Sequence, residues 1–257
     1  MNGAERLNFF RWFETPLGRA LIARETPYLA QGVRRFHGDT MLWLGPVPVA
    51  GLDLDRCMVR HRLFGAMCEN RRGHMAMEGG ASTFVGRPDA LPFAPGSVDA
   101  VVLHHALDCA EDSRATVREI YRVLRPGGRL LVCGFNPYSL WGLRRAVASV
   151  RRDAFRGARF VGPTRLVDWL AVLGFELDEG VRFLMYRPPV DIGAYESVRW
   201  ARMRAALERS RLPLGGVYFL LARKTAISLT SLRSSATADA RKLSPLALPK
   251  PTTRDGP

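Results

Sequence analysis

Two features of the sequence predict an α/β protein with a mostly parallel sheet and helices on both faces. First, the segments Val98–Leu103 and Arg129–Gly134 are apolar almost throughout rather than alternating, as strands buried on both faces are. Second, a helix is predicted between them over Ser113–Leu124, and Arg125–Gly128 supplies the residues that end it. A strand, a helix and a second strand in this order form a right-handed βαβ unit.

The segment before this unit contains a helical region and three further predicted strands. Residues 1–40 are predicted to be helical, with Thr15 as an N-cap, Pro16 in the first helical position and an apolar face that continues to about Ala30. The strands are predicted over Met41–Leu44, Arg62–Met67 and Ser82–Val85. Gly45-Pro46 ends the first strand, and Gly79-Gly80 marks a turn before the third.

The segment after the unit contains two more strands and two more helices, which suit one edge of the sheet. A helix is predicted over Pro163–Leu173, with Gly174 as its C-cap. A strand over Phe175–Tyr186, a helix over Glu196–Arg211 and a strand over Val217–Ala222 follow. The domain organisation predicted from these elements is an N-terminal helical segment (1–40), the α/β domain (41–224) and a disordered basic tail (225–257) that is rich in Ser, Thr and Pro.

The composition narrows the class of protein. The formal net charge is +14, yet Lys224, Lys242 and Lys250 are the only lysines among 38 basic residues. This arginine bias is compatible with a solvated basic surface or with a site for a polyanion, and no nucleic-acid-binding motif accompanies it. The charged first 25 residues predict no signal peptide and no apolar run is long enough to span a membrane, so we expect a cytoplasmic protein.

The four cysteines, Cys57, Cys68, Cys109 and Cys133, predict neither a zinc knuckle nor a redox pair. Their spacings of 11, 41 and 24 residues match no CxxC arrangement. Cys133 lies in an apolar run and is predicted to be a small buried residue. Reduced thiols are therefore the simplest interpretation.

The stretch from Asp89 to Pro137 carries the most specific motifs. Leu91-Pro92-Phe93 is followed by Val98-Asp99 and then by Glu119 and the run Arg122–Gly128, which spells RVLRPGG. This pattern resembles the class I S-adenosylmethionine-dependent methyltransferases, in particular the small-molecule enzymes of the ubiquinone and menaquinone type. The resemblance implies a Rossmann-like fold with seven strands and an antiparallel edge strand, S-adenosylmethionine as cofactor, and a small-molecule methyl acceptor.

The same resemblance implies where the cofactor binds, although the first loop of this chain departs from the family. The family pattern of an acid, a hydrophobic residue and three alternating glycines falls on Trp43, Leu44, Gly45, Val47 and Val49. Only the first glycine remains, and Pro46 and Pro48 stiffen the loop. The acid that holds the ribose in the family has Glu69 as its candidate, since Asp53 and Asp55 come too early. The full candidate cofactor set is Trp43, Gly45, Pro46, Glu69, Arg87, Asp89, Leu91 and His104.

His104 and His105 directly follow the predicted strand at Val98–Leu103. They therefore lie at the carboxyl edge of the sheet, where ligands bind in open α/β folds. His105 is the candidate general base, because an imidazole titrates near neutral pH; two ordinary residues at the rim are the alternative. No third ligand is suitably spaced for zinc, so no metal site is predicted.

Charged residues around the next helix have simpler explanations. Asp108, Glu111 and Asp112 precede Ser113 and suit the positive end of a helix. Glu119 and Arg122 are three residues apart and are predicted to pair.

The segment 144–165 carries seven arginines and the single acid Asp153. In the family it corresponds to part of a substrate lid, and here it predicts either a mobile loop or a contact with an anionic surface, a carboxylate or a phosphate. The seven are Arg144, Arg145, Arg151, Arg152, Arg156, Arg159 and Arg165.

Two functions remain open on this sequence. The first is transfer of a methyl group to a small molecule. The second is a non-catalytic interaction module on the same fold, with a protein or an anionic partner. A nicotinamide-dependent oxidoreductase is disfavoured because the loop after the first strand lacks GxGxxG.

Overall fold

The computed structural model describes residues 3–46, 54, 57–66, 82–151, 153–184 and 213–225. The helices in these ranges are α1 (Gly3–Trp12), α2 (Pro16–Val33), α3 (Ala106–Cys109), α4 (Ser113–Val123), α5 (Leu140–Arg151) and α6 (Pro163–Leu173). The strands are β1 (His37–Leu44), β2 (Met58–Ala66), β3 (Ser82–Val85), β4 (Val98–His104), β5 (Leu124–Phe135), β6 (Phe175–Leu177), β7 (Arg182–Leu184) and β8 (Val217–Lys224).

The strands form one sheet in the order β3-β2-β1-β4-β5-β8-β6, with β7 also paired to β8. The first five are parallel to their neighbours, whereas β8 is antiparallel to β5, β6 and β7. The chain moves outwards from β1 to β3 and then returns to the other side of β1 with β4. This reversal creates a switch point between β1 and β4, the place where open α/β sheets bind ligands. The predicted fold class is confirmed.

The strand predicted over Phe175–Tyr186 is interrupted. Its two pieces, β6 and β7, lie in line along one edge of β8, with Leu177 opposite Ala222 and Arg182 opposite Phe219. Residues 178–181 separate the two pieces, whereas only residues 220 and 221 separate their partners. The two extra residues form a bulge, which explains why a sheet of seven strand positions contains eight strands.

Helices cover both faces of the sheet. Alternation along β5 directs Leu131, Cys133 and Phe135 to one face, where Leu131 meets Gly32 of α2. Tyr28 of α2 stacks on Phe219 of β8 at a centroid distance of 5.5 Å. Elsewhere, α4 packs against α6, and Tyr121 of α4 contacts Phe175 at 5.6 Å. The strands between these layers are almost fully buried, as their continuous apolar sequence predicts.

The N-terminal helices belong to the core rather than to a separate segment. Phe9, Phe13, Leu21 and Leu29 are all at most 2% exposed, and residues Met1–Ala226 form one compact unit. The boundary predicted at residue 40 falls inside β1, because the strand begins at His37, where its pairing with β2 starts. The division of the chain into domains stays a prediction.

Most other element predictions within the described ranges are confirmed. The Thr15 hydroxyl caps α2 by accepting from the Gly18 amide, and Gly174 ends α6 with φ of 87°. Cys133 is buried, as predicted. The helix predicted over Glu196–Arg211, the Gly79-Gly80 turn and the tail beyond Thr225 lie outside the described residues. Across the described ranges, no helix combines the length and the apolar character that crossing a membrane requires.

Candidate functional site

The carboxyl ends of β1 and β4 meet at the switch point, and Gly45 makes this approach possible. Gly45 has a φ of 119°, and a Cβ atom built on it would lie 1.7 Å from the carbonyl oxygen of His104. A residue with a side chain would therefore be both strained and in collision with the backbone. The one glycine that this loop shares with the family is thus needed to bring β1 against β4.

Trp43 is a core residue at this end of the sheet. Its side chain is fully buried, and its indole N–H donates to the carbonyl of Pro46 at 3.1 Å. The ring also meets His104 edge-on at 5.8 Å. Trp43 therefore fills the place where the family carries an acid.

A buried polar cluster joins α2 to the end of β4. Glu25 of α2 lies 2.8 Å through Oε2 from His104 Nε2, and 2.9 Å through Oε1 from His105 Nε2. All three side chains are inaccessible to solvent. One carboxylate therefore contacts both imidazoles, and it comes from a helix that lies about 80 residues earlier in the sequence.

The Nδ1 atoms of the two imidazole rings also contact protein groups. His104 Nδ1 lies 2.5 Å from the carbonyl of Pro46, and His105 Nδ1 lies 2.9 Å from Asp108 Oδ2. Asp108 Oδ2 also accepts from the Phe135 amide at 3.0 Å. His105 itself adopts a left-handed backbone with φ of 52°, and its amide donates to Cys133 O at 2.8 Å. Both imidazole orientations are thereby fixed.

The electrostatics of the cluster follow from burial and from these contacts. Burial alone would raise the pKa of Glu25, but the charge of His105 and the close contacts with both histidines lower it from 4.5 to about 2. Burial alone would lower the pKa of His105, but Glu25 and Asp108 raise it from 6.5 to about 9. Burial lowers the pKa of His104 and raises that of Asp108. Glu25 and His105 therefore form a buried ion pair.

Aromatic side chains cover the cluster on the side of α1. Phe13 and Phe135 lie 5.0 Å and 4.2 Å from the His105 ring. Phe9, Trp12 and Phe155 surround these two and are also buried. The helical hairpin of α1 and α2 thus closes the described part of this end of the sheet from solvent.

The motif residues Leu91, Glu119 and Arg122 are connected to one another in the structure. Glu119 Oε1 accepts from the Leu91 amide at 2.7 Å, and Arg122 donates to both Glu119 and the Leu91 carbonyl. The predicted pairing of Glu119 with Arg122 is confirmed. The contacts explain the spacing of the motif, since α4 fixes the segment that leads into β4.

The other predicted cofactor residues differ in their surroundings. Arg87 donates to both carboxylate oxygens of Asp89, at 3.0 and 2.7 Å, and its side chain is 66% exposed. Leu91 is buried. Glu69, like Val47 and Val49, lies outside the described residues. The cofactor roles of these residues stay predictions.

Two residues of the cluster were missed as functional residues in the sequence analysis. Asp108 was assigned to the positive end of a helix, but it is buried against His105, whereas Asp112 is the N-cap of α4. Glu25 lies between Leu21 and Leu29 on the buried side of α2. An acid four residues from each of two core leucines was the available signal, because such a position favours an apolar residue.

The arginine-rich segment is largely folded. Arg144 pairs with Asp153 at 2.8 Å and lies over the Phe155 ring, and Arg145 donates to the Ala158 carbonyl. α5 covers the first part of the segment. These internal contacts leave less of its charge free for an outside anion, and contact with an anionic surface stays a prediction.

A groove along α2 lies away from the predicted site residues. It has a volume of about 540 Å³ and is lined by residues of α2 and β7, including Arg24, Tyr28 and Arg182. None of the predicted cofactor or catalytic residues lines it.

Comparison with known proteins finds similarity to methyltransferases. A family model described as a methyltransferase domain matches residues 40–132. The protein YafS of Escherichia coli is 28% identical over 220 residues, which are 85% of this chain and 82% of YafS. Demethylmenaquinone methyltransferase of Mycolicibacterium vanbaalenii is 52% identical over 46 residues, which are 18% of this chain and 20% of that enzyme.

A solved structure has a similar fold. An S-adenosylmethionine-dependent methyltransferase from Archaeoglobus fulgidus aligns with a TM-score of 0.56 and 16% identity, over 84% of this chain and 98% of that chain. At this identity the likeness concerns the fold. A methyltransferase-domain model thus matches residues 40–132, and the sheet order and this structural likeness give the chain the Rossmann-like fold of the class I S-adenosylmethionine-dependent methyltransferases.

Proposed function

We propose that this methyltransferase transfers the methyl group of S-adenosylmethionine to a small-molecule acceptor. The observation that supports the acceptor class is the connected unit of Leu91, Glu119 and Arg122, since this motif is typical of the small-molecule enzymes that the sequence resembles. The short match to a demethylmenaquinone methyltransferase points in the same direction. It spans a fifth of that enzyme, so it does not name the acceptor.

The cofactor supplies a methyl carbon that the adjacent sulfonium makes electrophilic. The described residues at the end of β1 do not offer S-adenosylmethionine the contacts that the family's loop provides. Trp43 and His104 are fully buried, and their ring nitrogens already contact protein groups. The carbonyl oxygen of Pro46 accepts from Trp43 Nε1 and also contacts His104 Nδ1. Any binding at this end therefore uses contacts other than the family's glycine-rich loop.

The proposed role of His105 as a base is not supported by this arrangement. Both of its ring nitrogens face carboxylates, at 2.9 Å each, so no lone pair is available to an acceptor. The raised pKa of His105, about 9, also keeps the ring protonated at neutral pH. We therefore assign to this cluster the positioning of α2 against β4, and assign no proton transfer to it.

A second candidate function is a non-catalytic interaction module on the same fold. The observation that favours it is the filling of the switch point by Trp43, Pro46, His104 and Glu25. Loss of the cofactor site would leave the scaffold intact, because the sheet does not depend on the ligand.

The experiment that tests the proposal uses S-adenosylmethionine with a labelled methyl group. The full chain is incubated with a bacterial extract that has been separated into small-molecule and macromolecular fractions. We expect enzyme-dependent label in the small-molecule fraction. Label confined to protein or nucleic acid would overturn the acceptor class, and the absence of label in every fraction would favour the interaction module.

A further inference from the structure

The buried cluster of Glu25, His104, His105 and Asp108 also contains a thiol. Cys133 of β5 is 1% exposed, and its Sγ lies 3.8 Å from His105 Nε2. Single ligand atoms of Glu25, His104, His105 and Cys133 all lie within 4.8 Å of one another. We propose that these four side chains bind one divalent transition-metal ion, with zinc as the expected metal.

The residue types and the spacing of their atoms suit a tetrahedral zinc site. Imidazole nitrogen, thiolate sulfur and carboxylate oxygen are the ligands that zinc takes in proteins. Bond lengths of about 2.0–2.3 Å in a tetrahedron separate neighbouring ligand atoms by roughly 3.3–3.7 Å. The separations of 2.8 and 2.9 Å between Glu25 and the two imidazoles and of 3.8 Å between Cys133 and His105 lie on both sides of that range. Because the four ligand atoms lie within 4.8 Å of one another, side-chain adjustments of up to about 1 Å would bring them to zinc-binding distances.

The Nδ1 atoms of the two histidines make the contacts that are typical of metal-bound histidines. A carbonyl oxygen can only accept, so the contact with Pro46 O places a proton on His104 Nδ1. The Asp108 carboxylate likewise accepts a hydrogen bond from His105 Nδ1. Metal-bound histidines typically donate their second ring N–H to a carbonyl or a carboxylate, which turns the other nitrogen towards the metal. In this cluster both Nε2 atoms point inwards, towards Glu25 and Cys133.

The charges also favour a cation between these groups. When His104 is neutral and carries its proton on Nδ1, its Nε2 lone pair faces Glu25 Oε2 at 2.8 Å, so two acceptors oppose each other. Protonation of both rings would solve this only by placing two imidazolium groups, with ring centroids 5.0 Å apart, in a site without solvent access. A divalent ion would balance the charges of its two anionic ligands, the Glu25 carboxylate and a Cys133 thiolate.

The proposed site is structural rather than catalytic. Four protein ligands complete a tetrahedron and leave no position for water or substrate, and all four are buried. The ion would connect α2 to the ends of β4 and β5. The sequence prediction of no metal site rested on spacing, whereas Glu25 precedes His104 by 79 residues and Cys133 follows His105 by 28. Spacings of this size carry no motif, and only the fold brings the ligands together.

The first test needs no variant. Elemental analysis of the full chain, produced without a histidine tag, should find about one zinc per chain. After chelation, titration with Co²⁺ should produce the visible bands of tetrahedral cobalt and a thiolate-to-cobalt charge-transfer band, and Zn²⁺ should abolish both. A stripped chain that stays folded and takes up no Co²⁺ would overturn the proposal and leave a hydrogen-bonded cluster.

Matched variants then identify the ligands. Cys133→Ser should remove the charge-transfer band, while Cys57→Ser, at a buried cysteine outside the cluster, should keep it. Asp108→Asn should weaken Co²⁺ binding about 10- to 100-fold, because it removes the carboxylate that orients His105. Cobalt binding with the same affinity and spectrum in Cys133→Ser would contradict this site. None of these measurements depends on methyl transfer, so their failure is distinct from failure of the proposed function.

Discussion

Glu25 is the residue on which the closed end of the sheet depends. It replaces an apolar side chain in the stripe that contains Leu21 and Leu29, and its carboxylate contacts two imidazoles without access to water. Burying a charge in this way is stable only because partners compensate it. The pH at which those partners change charge should therefore control the stability of the chain.

The metal-free chain should lose stability as the pH rises from 6.5 to 9. The pKa of His105 is raised from 6.5 to about 9 in the folded chain, so its stabilising charge is complete below pH 6.5 and is lost above it. The loss should be roughly 3 kcal/mol, since each pKa unit corresponds to about 1.4 kcal/mol. Urea unfolding in the presence of a chelator measures it. His37→Gln, at an exposed histidine, should keep the slope, and a flat profile in the unmodified chain would contradict the ion pair.

Gly45→Ala should prevent stable folding. The new Cβ would lie 1.7 Å from the His104 carbonyl oxygen at a φ of 119°, so both strain and collision act against it. We expect a loss of about 4 kcal/mol or more in the free energy of unfolding. Gly96→Ala is the control, because Gly96 also has positive φ but has open space around it, and about 1–2 kcal/mol is expected there. Equal thermal shifts in the two variants would show that β1 does not pack against β4 as described.

The individual site residues were only partly predictable from the sequence. His104 and His105 were located because they directly follow an apolar strand. Their partners were not, since Glu25 comes from another element and Asp108 also suited a helix terminus. A side chain's partner depends on tertiary packing, which local sequence does not contain.

At the scale of elements, α4 and the segment before β4 form one unit through Glu119. Its carboxylate accepts from the Leu91 amide and from Arg122, and its side chain is 13% exposed. The unit holds the entrance to β4 independently of the cluster at the strand's other end. The motif residues therefore serve the scaffold directly.

Glu119→Ala should destabilise the chain by about 1–3 kcal/mol, because a buried backbone amide loses its acceptor. Arg118→Ala, at an exposed position on the same helix, should change the free energy of unfolding by less than about 0.5 kcal/mol. Denaturant unfolding of both variants makes the comparison. Indistinguishable midpoints would mean that the Glu119 contacts do not support the fold.

Elements with a strong local signal were the ones predicted well. α6 has a proline at its start and a left-handed glycine at its end, and both are visible in the sequence. The break between β6 and β7 was not predicted, because the bulge follows from the register with β8. Arg182 and Arg35, which pair with Glu179 beside that bulge, gave no pattern of their own.

For the whole molecule, the fold was predictable because two independent signals agreed. Unbroken apolar strands indicated a parallel sheet, and the turn after α4 matched a known family. The closed switch point was not predictable, since it requires α1 and α2 to pack over β4 and β5. The net charge of +14 decided little, because no nucleic-acid-binding motif accompanies it.

Calorimetric titration of the full chain with S-adenosylhomocysteine tests the central claim, that this chain binds S-adenosylmethionine despite its altered first loop. The account predicts saturable binding with one site per chain. A folded chain that gives no heat at high S-adenosylhomocysteine concentration, at two temperatures, would contradict it and leave the methyltransferase scaffold as an interaction module.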